Sequence, residues 1–164
     1  EHIEQFGGHK YAAGLTLHEK DYENFKQKFE EVVSQSIDER LLVPEIRVDM
    51  KMELSDINPK FYRILRQFAP FGPGNMTPIF MTEDLKDTGY GKCVGGDDAH
   101  LKCTLTQHGL PGQYSGPAIG AIGFNLGNKC ALIQNQKPFK AVYSLDTNEW
   151  NGDVTLQLKL RDIQ

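Results

Sequence analysis

The sequence predicts an α+β protein whose helices lie in its first half and whose strands dominate its second half. Three observations carry this prediction. Apolar residues recur at helical spacing over residues 22–42. Apolar and polar residues alternate strictly over residues 45–54, as in a half-buried strand. Two more alternating segments, 139–145 and 154–160, flank Asn151-Gly152, which is a strong two-residue hairpin signal.

The first half is predicted to contain a short strand and two helices. We expect the strand over residues 12–17, and the first helix ends where Val43-Pro44 disfavours helical geometry. Asn58-Pro59 places an N-cap residue before a proline at the first helical position, which predicts the start of the second helix. A turn-rich loop follows at residues 70–75. The stripe of the second helix that we expect to be buried consists of Phe61, Ile64, Leu65 and Phe68.

The second half is predicted to contain five short strands with a helical turn after the third. We expect the first three strands over residues 79–90, 99–106 and 117–124, and the helical turn over 125–137. The hairpin turn sets a register that brings both apolar rows of the last two strands onto one face. The opposite pairs in that register are Trp150 with Asp153, Leu145 with Leu158, and Tyr143 with Leu160. Tyr143 then faces the core and Trp150 faces away. Five short strands with a helical insertion after the third are typical of a small oligonucleotide-binding (OB) barrel.

Composition and charge restrict the function classes. The 164 residues carry a formal net charge of −4 and have a pI near 5.7, which argues against nucleic-acid binding by bulk charge alone. No stretch approaches the roughly 20 apolar residues of a membrane span, so we expect no membrane partner. Cys93, Cys103 and Cys130 are odd in number and irregularly spaced. This spacing argues against a disulfide framework and predicts a reducing, cytoplasmic location.

The sequence contains no convincing catalytic or metal-binding cluster. Cys93, His100, Cys103 and His108 lack the paired spacing of a zinc site, and Cys103 alternates with leucines as a core residue. The sequence has no P-loop, no nucleophile elbow and no cluster of Asp and His suited to a two-metal phosphodiesterase. We therefore expect no metal ligands and no catalytic residues in this chain.

The motif Gly7-Gly8-His9 has two interpretations. Adjacent glycines allow backbone N–H groups to approach an anion, and a histidine beside them can donate to a phosphate oxygen. The alternative is an ordinary tight turn with a solvated histidine. Short glycine motifs are weak signals, so spacing alone favours the turn.

Basic and aromatic side chains form a second group of candidates. Arg63 and Arg66 either contact nucleic-acid phosphates or belong to a solvated helix face. Proteins that bind single strands combine a basic groove with aromatic platforms, where stacking contributes about 1–3 kcal/mol per base. Trp150 is the candidate platform, and covering a neighbouring element is an equally good interpretation. The candidate barrel cations are Lys92, Lys102, Lys140, Lys159 and Arg161.

The order of these features resembles the RecJ family of single-stranded-DNA-specific exonucleases, within the DHH phosphoesterase superfamily. The likeness covers nearly the whole chain. The motif Gly7-Gly8-His9 is shared across the superfamily, whereas the loop and barrel features are more specific to RecJ. The residues that carry the likeness are Gly7-Gly8-His9 with Ala12-Ala13-Gly14, Phe68-Ala69-Pro70-Phe71-Gly72-Pro73-Gly74-Asn75, His100-Leu101-Lys102, Asn148-x-Trp150-x-Gly152 and Asp162-Ile163.

The resemblance implies a division of the chain into three parts. Residues 1–44 would be the C-terminal part of a DHH-associated domain, a remnant made of one strand plus one helix. Residues 45–77 would be a connecting strand, helix and loop, and residues 78–164 a five-stranded OB-like nucleic-acid-binding β-barrel. In the family the GGH loop faces the catalytic cleft and helps to hold a substrate phosphate, a role that carries over to Gly7, Gly8 and His9.

The resemblance also implies a function. The parent enzyme would degrade single-stranded DNA from its 5′ end in DNA repair and recombination, with Mn or Mg held by an N-terminal Asp-His-His domain. This chain would be its DNA-holding C-terminal region, with no bound cofactor and no activity of its own. The chain begins without Met and soon reaches the GGH motif, which predicts an excised piece of a longer protein. Its exposed N-terminal strand would then favour a non-native dimer.

Two alternatives stay open. The barrel would in one case be a protein-interaction module that binds other repair proteins, in keeping with the mildly acidic composition. In the other case the parent would be a DHH phosphodiesterase that acts on short oligonucleotides or cyclic dinucleotides. Titration with oligonucleotides separates the first alternative from a DNA-holding role.

Overall fold

The computed structural model describes residues 3–107 and 117–164, which belong to two compact units, residues 1–46 and 47–164. The first unit is an antiparallel hairpin followed by a helix. Strands β1 (Gln5–His9) and β2 (Ala12–Thr16) pair, and helix α1 follows at Tyr22–Ser36. This confirms the strand expected over residues 12–17. Sequence analysis did not predict β1.

Helix α1 ends earlier than the apolar spacing predicted. Ile37 is extended, with φ −73° and ψ 137°, and the chain resumes as a short 3₁₀ helix at Glu39–Leu42. The Asp38 side chain accepts from the backbone N–H of Arg40 and so caps this 3₁₀ helix. None of the described residues of the first unit is buried, so the apolar stripe of α1 lies half-exposed or exposed.

The second unit begins with a very short strand, and the strand predicted over residues 45–54 is therefore wrong in extent. Only β3 (Met50–Lys51) forms, parallel to the strand that begins at Phe80. Met52 and Leu54 are buried, but the chain turns into a 3₁₀ helix at Leu54–Asp56. The backbone N–H of Leu54 donates to the Gln107 side chain instead of to a neighbouring strand.

Helix α2 (Pro59–Leu65) begins as predicted. The Asn58 side chain accepts from the backbone N–H of Phe61 at 3.0 Å, and Pro59 occupies the first turn. Its buried stripe is narrower than predicted. Phe61 and Leu65 pack against the core, whereas Ile64 and Phe68 are exposed.

The remaining strands form one sheet with β3. They are β4 (Phe80–Asp87), β5 (Lys92–Val94), β6 (His100–Gln107), β7 (Ile119–Gly123), β8 (Phe139–Trp150) and β9 (Asp153–Ile163), with helix α3 (Cys130–Gln134) before β8. The strand order is β3-β4-β8-β9-β7-β6-β5, and β4 also pairs with β6. Five strands therefore pair in a closed circuit, with β7 and β9 parallel and the other neighbours antiparallel.

The register predicted for the last hairpin is confirmed. The pairs Trp150 with Asp153, Leu145 with Leu158, and Tyr143 with Leu160 all occur. Tyr143 is fully buried, as expected. The core that these rows line is formed chiefly by Leu85, Leu101, Leu105, Ile133, Tyr143, Leu158 and Ile163. Sequence analysis missed β5, which has only three residues.

The cysteines correct one expectation. A disulfide joins Cys93 on β5 to Cys130 at the start of α3, across 37 residues, although the spacing argued against disulfides. The fold brings α3 beside β5, and the spacing of the cysteines in the sequence does not reveal this proximity. Cys103 is free and buried, as its alternation with leucines predicted. Burial raises the pKa of its thiol to about 12.

Two further properties concern metal sites and membranes. Within residues 3–107 and 117–164, no group of three or more His, Cys, Asp or Glu side chains could hold a metal ion. His108, part of the zinc set considered above, lies outside the described residues. No helix in the described part of the chain is long and apolar enough to cross a membrane.

Candidate nucleic-acid interface

Three of the predicted cations lie in one row across neighbouring strands. Lys92 on β5 pairs with Lys102 on β6, Lys102 pairs with Ile122 on β7, and Ile122 pairs with Lys159 on β9. Residues opposite each other share a face of the sheet. With adjacent strands about 4.8 Å apart, Lys102 and Lys159 stand about 10 Å apart on either side of Ile122. We call Lys92, Lys102 and Lys159 the cationic row.

The cationic row faces away from the core. Leu101 and Cys103 are buried on either side of Lys102, which is exposed. Side chains alternate between the two faces of a strand, so Lys102 projects from the outer face. The same argument holds for Lys159 between the buried Leu158 and Leu160. The cations therefore lie on one side of the sheet although sequence separates Lys92 from Lys159 by more than sixty residues.

Phe124, which sequence analysis did not identify, supplies an aromatic surface beside the row. The residue directly follows β7, and 53% of it is exposed. The Lys159 Nζ lies 5.8 Å from the centroid of its ring, within range of a cation–π interaction. The His100 ring meets the Phe124 ring edge-on at a centroid distance of 5.2 Å. Alternation along β7 is the signal that could have identified this position, because Phe124 lies two residues beyond Ile122 on the same face.

His100 is held in place by a backbone contact. Its Nδ1 accepts a hydrogen bond of 3.2 Å from the backbone N–H of Asn125. Asn125 has a φ of +58°, which turns the chain sharply after Phe124. The ring of Phe124 thus contacts the imidazole of His100 and the Lys159 ammonium, and about half of the residue remains exposed.

Trp150 lies far from the row. It is 73% exposed at the tip of the β8–β9 hairpin, which confirms that it points away from the core. Lys159 is opposite Ser144, and Trp150 is six residues further along β8. At about 3.3 Å per residue, this separates Trp150 from Lys159 by about 20 Å.

The second unit also contains a basic cleft beside the row. The cleft has a volume of about 190 Å³ and is lined by α2 and the following loop on one side and by β8 and β9 on the other. Its cations are Arg66, Lys159 and Arg161, and Asp146 is its acidic residue. Arg63 is exposed on α2 and does not line this cleft. Lys140, at the start of β8, lies near the Glu83 carboxylate instead.

The loop after α2 is fixed by Asn75. The Asn75 side-chain N–H₂ donates to the backbone oxygens of Phe68 and Pro70, at 2.8 and 2.9 Å. Gly72 and Asn75 also exchange two backbone hydrogen bonds. These contacts close the loop on itself beside the cleft, which Phe71 of the same loop lines.

The GGH motif lies in a strand and not in a turn. Lys10 and Tyr11 form the turn, while Gly7 pairs with Gly14 and Gly8 with Ala13. A Cβ atom on Gly8 would lie 2.6 Å from the Ala12 carbonyl oxygen, whereas one on Gly7 would meet nothing within 4 Å. Gly8 is thus required by the hairpin, and Gly7 is not.

His9 is oriented by the adjacent turn. Its Nδ1 accepts from the backbone N–H of Tyr11 at 3.2 Å, which leaves Nε2 as the nitrogen available to a ligand. Gly7 and Gly14 share the face of the hairpin on which His9 lies, because cross-strand partners and alternate residues point the same way. On that face Ala12, opposite His9, carries only a methyl group, and the next pair, Gly7 and Gly14, carries no side chain.

Comparison with known proteins gives this geometry a context. Residues 48–162 match the family model described as the RecJ OB domain. The chain is 31% identical over 159 residues to the single-stranded-DNA-specific exonuclease RecJ of Salmonella typhimurium, covering 97% of this chain and 26% of that protein. It is 26% identical to the exonuclease of the same name from Bacillus subtilis, covering 98% of this chain and 19% of that protein.

A solved structure shows the same fold. The crystal structure of RecJ in complex with Mn²⁺ from Thermus thermophilus matches with a TM-score of 0.70 and 21% identity, covering 99% of this chain and 22% of that chain. The second unit contains all of the residues that match the RecJ OB domain. The chain belongs to the RecJ family, and it spans about a fifth to a quarter of the length of the relatives it matches.

Proposed function

We propose that this chain holds single-stranded DNA for a RecJ-type 5′-to-3′ exonuclease and does not itself hydrolyse the strand. The observation that carries the proposal is the cationic row with Phe124 beside it. Lysines bind the phosphates of a nucleic acid whatever its base sequence, and the bases stack on an aromatic face. An exonuclease that releases successive nucleotides needs such sequence-independent contacts. The named activity of the matched relatives agrees with this chemistry.

The closed circuit of five strands supports our further proposal that the second unit is an OB-type barrel. In that fold the faces of the second and third barrel strands are a usual binding surface. Those strands are β6 and β7 here; β6 carries Lys102, and Phe124 directly follows β7. We retain the division into a DHH-associated remnant at 1–44, a connection at 45–77 and a barrel at 78–164 as part of the proposal.

Binding of a labelled oligothymidylate to the chain at several salt concentrations tests this function. Neutralised phosphates release counterions, so affinity should fall as salt rises, with a slope of about −0.7 per contacted phosphate. Lys102→Ala should weaken binding and reduce the slope by about 0.7. Lys137→Ala is the matched control, because Lys137 is exposed outside the row. Equal affinities for the two variants would contradict the proposal.

The catalytic metal belongs, in this proposal, to a part of the parent enzyme outside these residues. The matched Thermus structures are complexes with Mn²⁺ and Mg²⁺, and the described residues provide no group of three metal ligands. Gly7, Gly8 and His9 would hold a substrate phosphate beside that metal. We further propose a cytoplasmic location and a role in DNA repair and recombination for the parent enzyme.

A second candidate function is supported by the β8–β9 hairpin. Its segment Asp146–Thr155 is exposed throughout and carries Trp150 at its tip. An exposed aromatic on a protruding hairpin is typical of a contact with another protein, here a repair protein. The edges of the β1–β2 hairpin would in addition permit association of two copies of the chain. Sedimentation over a range of concentrations tests that association, and a monomer throughout would exclude it.

A further inference from the structure

We propose that the basic cleft between α2 and the β8–β9 pair binds one internal phosphodiester of the single strand, beyond the cationic row. This inference rests on the proposed DNA-holding function and adds a second contact point to it. The strand would cross the outer face at Lys102 and Lys159 and continue to Arg66 and Arg161. Lys159 belongs to both surfaces, since it lies over Phe124 and also lines the cleft.

The cleft contains an excess of positive charge. Arg66, Lys159 and Arg161 contribute three cations, against the single carboxylate of Asp146. One oxygen of that carboxylate accepts from the backbone N–H of Thr147 at 2.8 Å. Among the described residues, neither arginine has a carboxylate within ion-pair distance. The two guanidinium groups therefore have donors available for an external anion.

The basic surface continues past Arg161. A neighbouring cleft of about 490 Å³ is lined by Arg47, Thr77 and Arg161 among others. Thr77 and Arg161 line both clefts. The carboxylate of Asp49 in the second cleft accepts from the backbone N–H of Ile79 at 2.8 Å. The two clefts therefore adjoin at Thr77 and Arg161, and a strand bound in the first would reach the second there.

The chemistry of the cleft fits a phosphodiester. Guanidinium groups bind phosphate oxygens through paired N–H donors, and hydroxyl groups add further donors. Thr77 and Ser144 supply hydroxyls here, and the rings of Tyr62 and Phe71 offer apolar contact to a sugar. Ser144 is only 3% exposed although it faces outward on β8, because α2 and its loop cover it. The site is therefore a partly enclosed cleft and not a flat surface.

The walls of the cleft are fixed before any ligand binds. The Asn75 side chain ties the loop to the backbone of Phe68 and Pro70, and Asn58 caps the helix that carries Arg66 at its end. Arg161 extends from β9, which pairs with β8 and β7. A site on rigid elements needs little ordering when it binds, so a single phosphate can contribute measurably to affinity.

The test is a salt titration of the whole 164-residue chain with a fluorescein-labelled oligothymidylate. The variant is the double substitution Arg66→Gln/Arg161→Gln, and the control is Lys60→Gln, because Lys60 is exposed on the same helix and does not line the cleft. We expect the double variant to bind about 10-fold more weakly or worse. Its slope of log affinity against log salt should fall by about 0.7, the value for one phosphate. Lys60→Gln should match the unmodified chain.

A 5′-hydroxyl and a 5′-phosphate version of the oligonucleotide distinguish an internal phosphodiester from a terminal phosphate. The affinity of the double variant should fall by the same factor for both oligonucleotides. A loss confined to the 5′-phosphate strand would overturn the inference, as would equal binding by the double variant and the Lys60→Gln control. If Lys102→Ala still weakens binding in that last case, the DNA-holding function stands without the cleft. If the unmodified chain shows no salt-dependent binding, both fail.

Discussion

The Thr82 Oγ1 and the Tyr143 hydroxyl oxygen lie 2.6 Å apart inside the core, between β4 and β8. Thr82 Oγ1 also donates to the Met52 carbonyl oxygen at 2.8 Å. The threonine hydroxyl has a single proton, so the Tyr143 hydroxyl must donate to Thr82. This chain of hydrogen bonds ties the centre of β8 to β4 and to the segment that leads into α2.

Substitutions at the two ends of this hydrogen-bond chain should lower the free energy of unfolding by different amounts. Tyr143→Phe removes one donor, while Thr82 keeps its bond to Met52, so the free energy of unfolding should fall by about 1 kcal/mol. Thr82→Val leaves the Tyr143 hydroxyl and the Met52 carbonyl oxygen unpaired and should cost more, about 2–3 kcal/mol. Urea unfolding of both variants measures the difference. A Thr82→Val cost equal to or below that of Tyr143→Phe would show that the donor assignment is wrong.

Alkaline pH should destabilise the second unit. Burial raises the pKa of the Tyr143 hydroxyl from 10.0 to about 12 and that of the Cys103 thiol from 9.0 to about 12. The folded state therefore keeps these protons after the unfolded state has released them. Their contribution to stability is complete below about pH 9 and is lost as the pH rises toward 12.

The unfolding midpoint in urea, measured at a series of pH values above neutrality, tests this dependence. The chain should lose stability over that window, and Tyr143→Phe with Cys103→Ala should lose less because neither replacement ionises. Comparison with the double variant separates these two groups from exposed residues that also titrate at high pH. An identical slope for both proteins would contradict the assignment.

Sequence analysis predicted elements where one physical signal dominates. The Asn151-Gly152 turn sets the register of β8 and β9, and every predicted pair occurs because a shift by one residue would expose the whole apolar row. The start of α2 was predictable because Asn58 and Pro59 act locally. The register of this hairpin and the start of this helix are thus determined by residues only a few positions away in the sequence.

Elements that depend on distant partners were predicted less well. Residues 45–54 alternate like a strand, but the strand that pairs with β4 covers only Met50–Lys51, and the chain turns into a 3₁₀ helix from Leu54. Cys93 and Cys130 come together only through the packing of α3 beside β5. For the same reason, the sequence alone did not predict that Lys92, Lys102 and Lys159 form a row. Its members lie on β5, β6 and β9, and only the strand order brings them side by side.

Asn75 should control the rigidity of the loop after α2. Asn75→Ala removes the two side-chain N–H bonds to the oxygens of Phe68 and Pro70, so the loop should open more often than in the unmodified chain. Hydrogen exchange at the backbone N–H of Gly72 and of position 75 reports this opening, since both are bonded within the loop. Both should exchange faster in Asn75→Ala.

Gln67→Ala is a suitable control for that experiment, because Gln67 is exposed on the turn before the loop. Its exchange should match that of the unmodified chain. If Asn75→Ala also leaves the exchange at Gly72 unchanged, the backbone bonds alone hold the loop and the side chain of Asn75 does not fix it.

The two glycines of the GGH motif should respond differently to alanine. In Gly8→Ala, the new Cβ would lie 2.6 Å from the Ala12 carbonyl oxygen, so β1 and β2 must move apart. In Gly7→Ala, the new Cβ meets nothing within 4 Å and the hairpin should persist. Hydrogen exchange of the β1 and β2 amides in this chain should therefore rise for Gly8→Ala and stay unchanged for Gly7→Ala.

The same pair separates a structural role of the motif from phosphate binding in the full-length enzyme that contains it. The proposed phosphate site uses the open face shared by Gly7, Gly14 and His9. A methyl group at position 7 would then hinder approach of the phosphate to the backbone, so Gly7→Ala should lower turnover with an intact hairpin. His9→Ala should do the same by removing a donor. Normal turnover in both variants would leave the motif with the structural role of Gly8 alone.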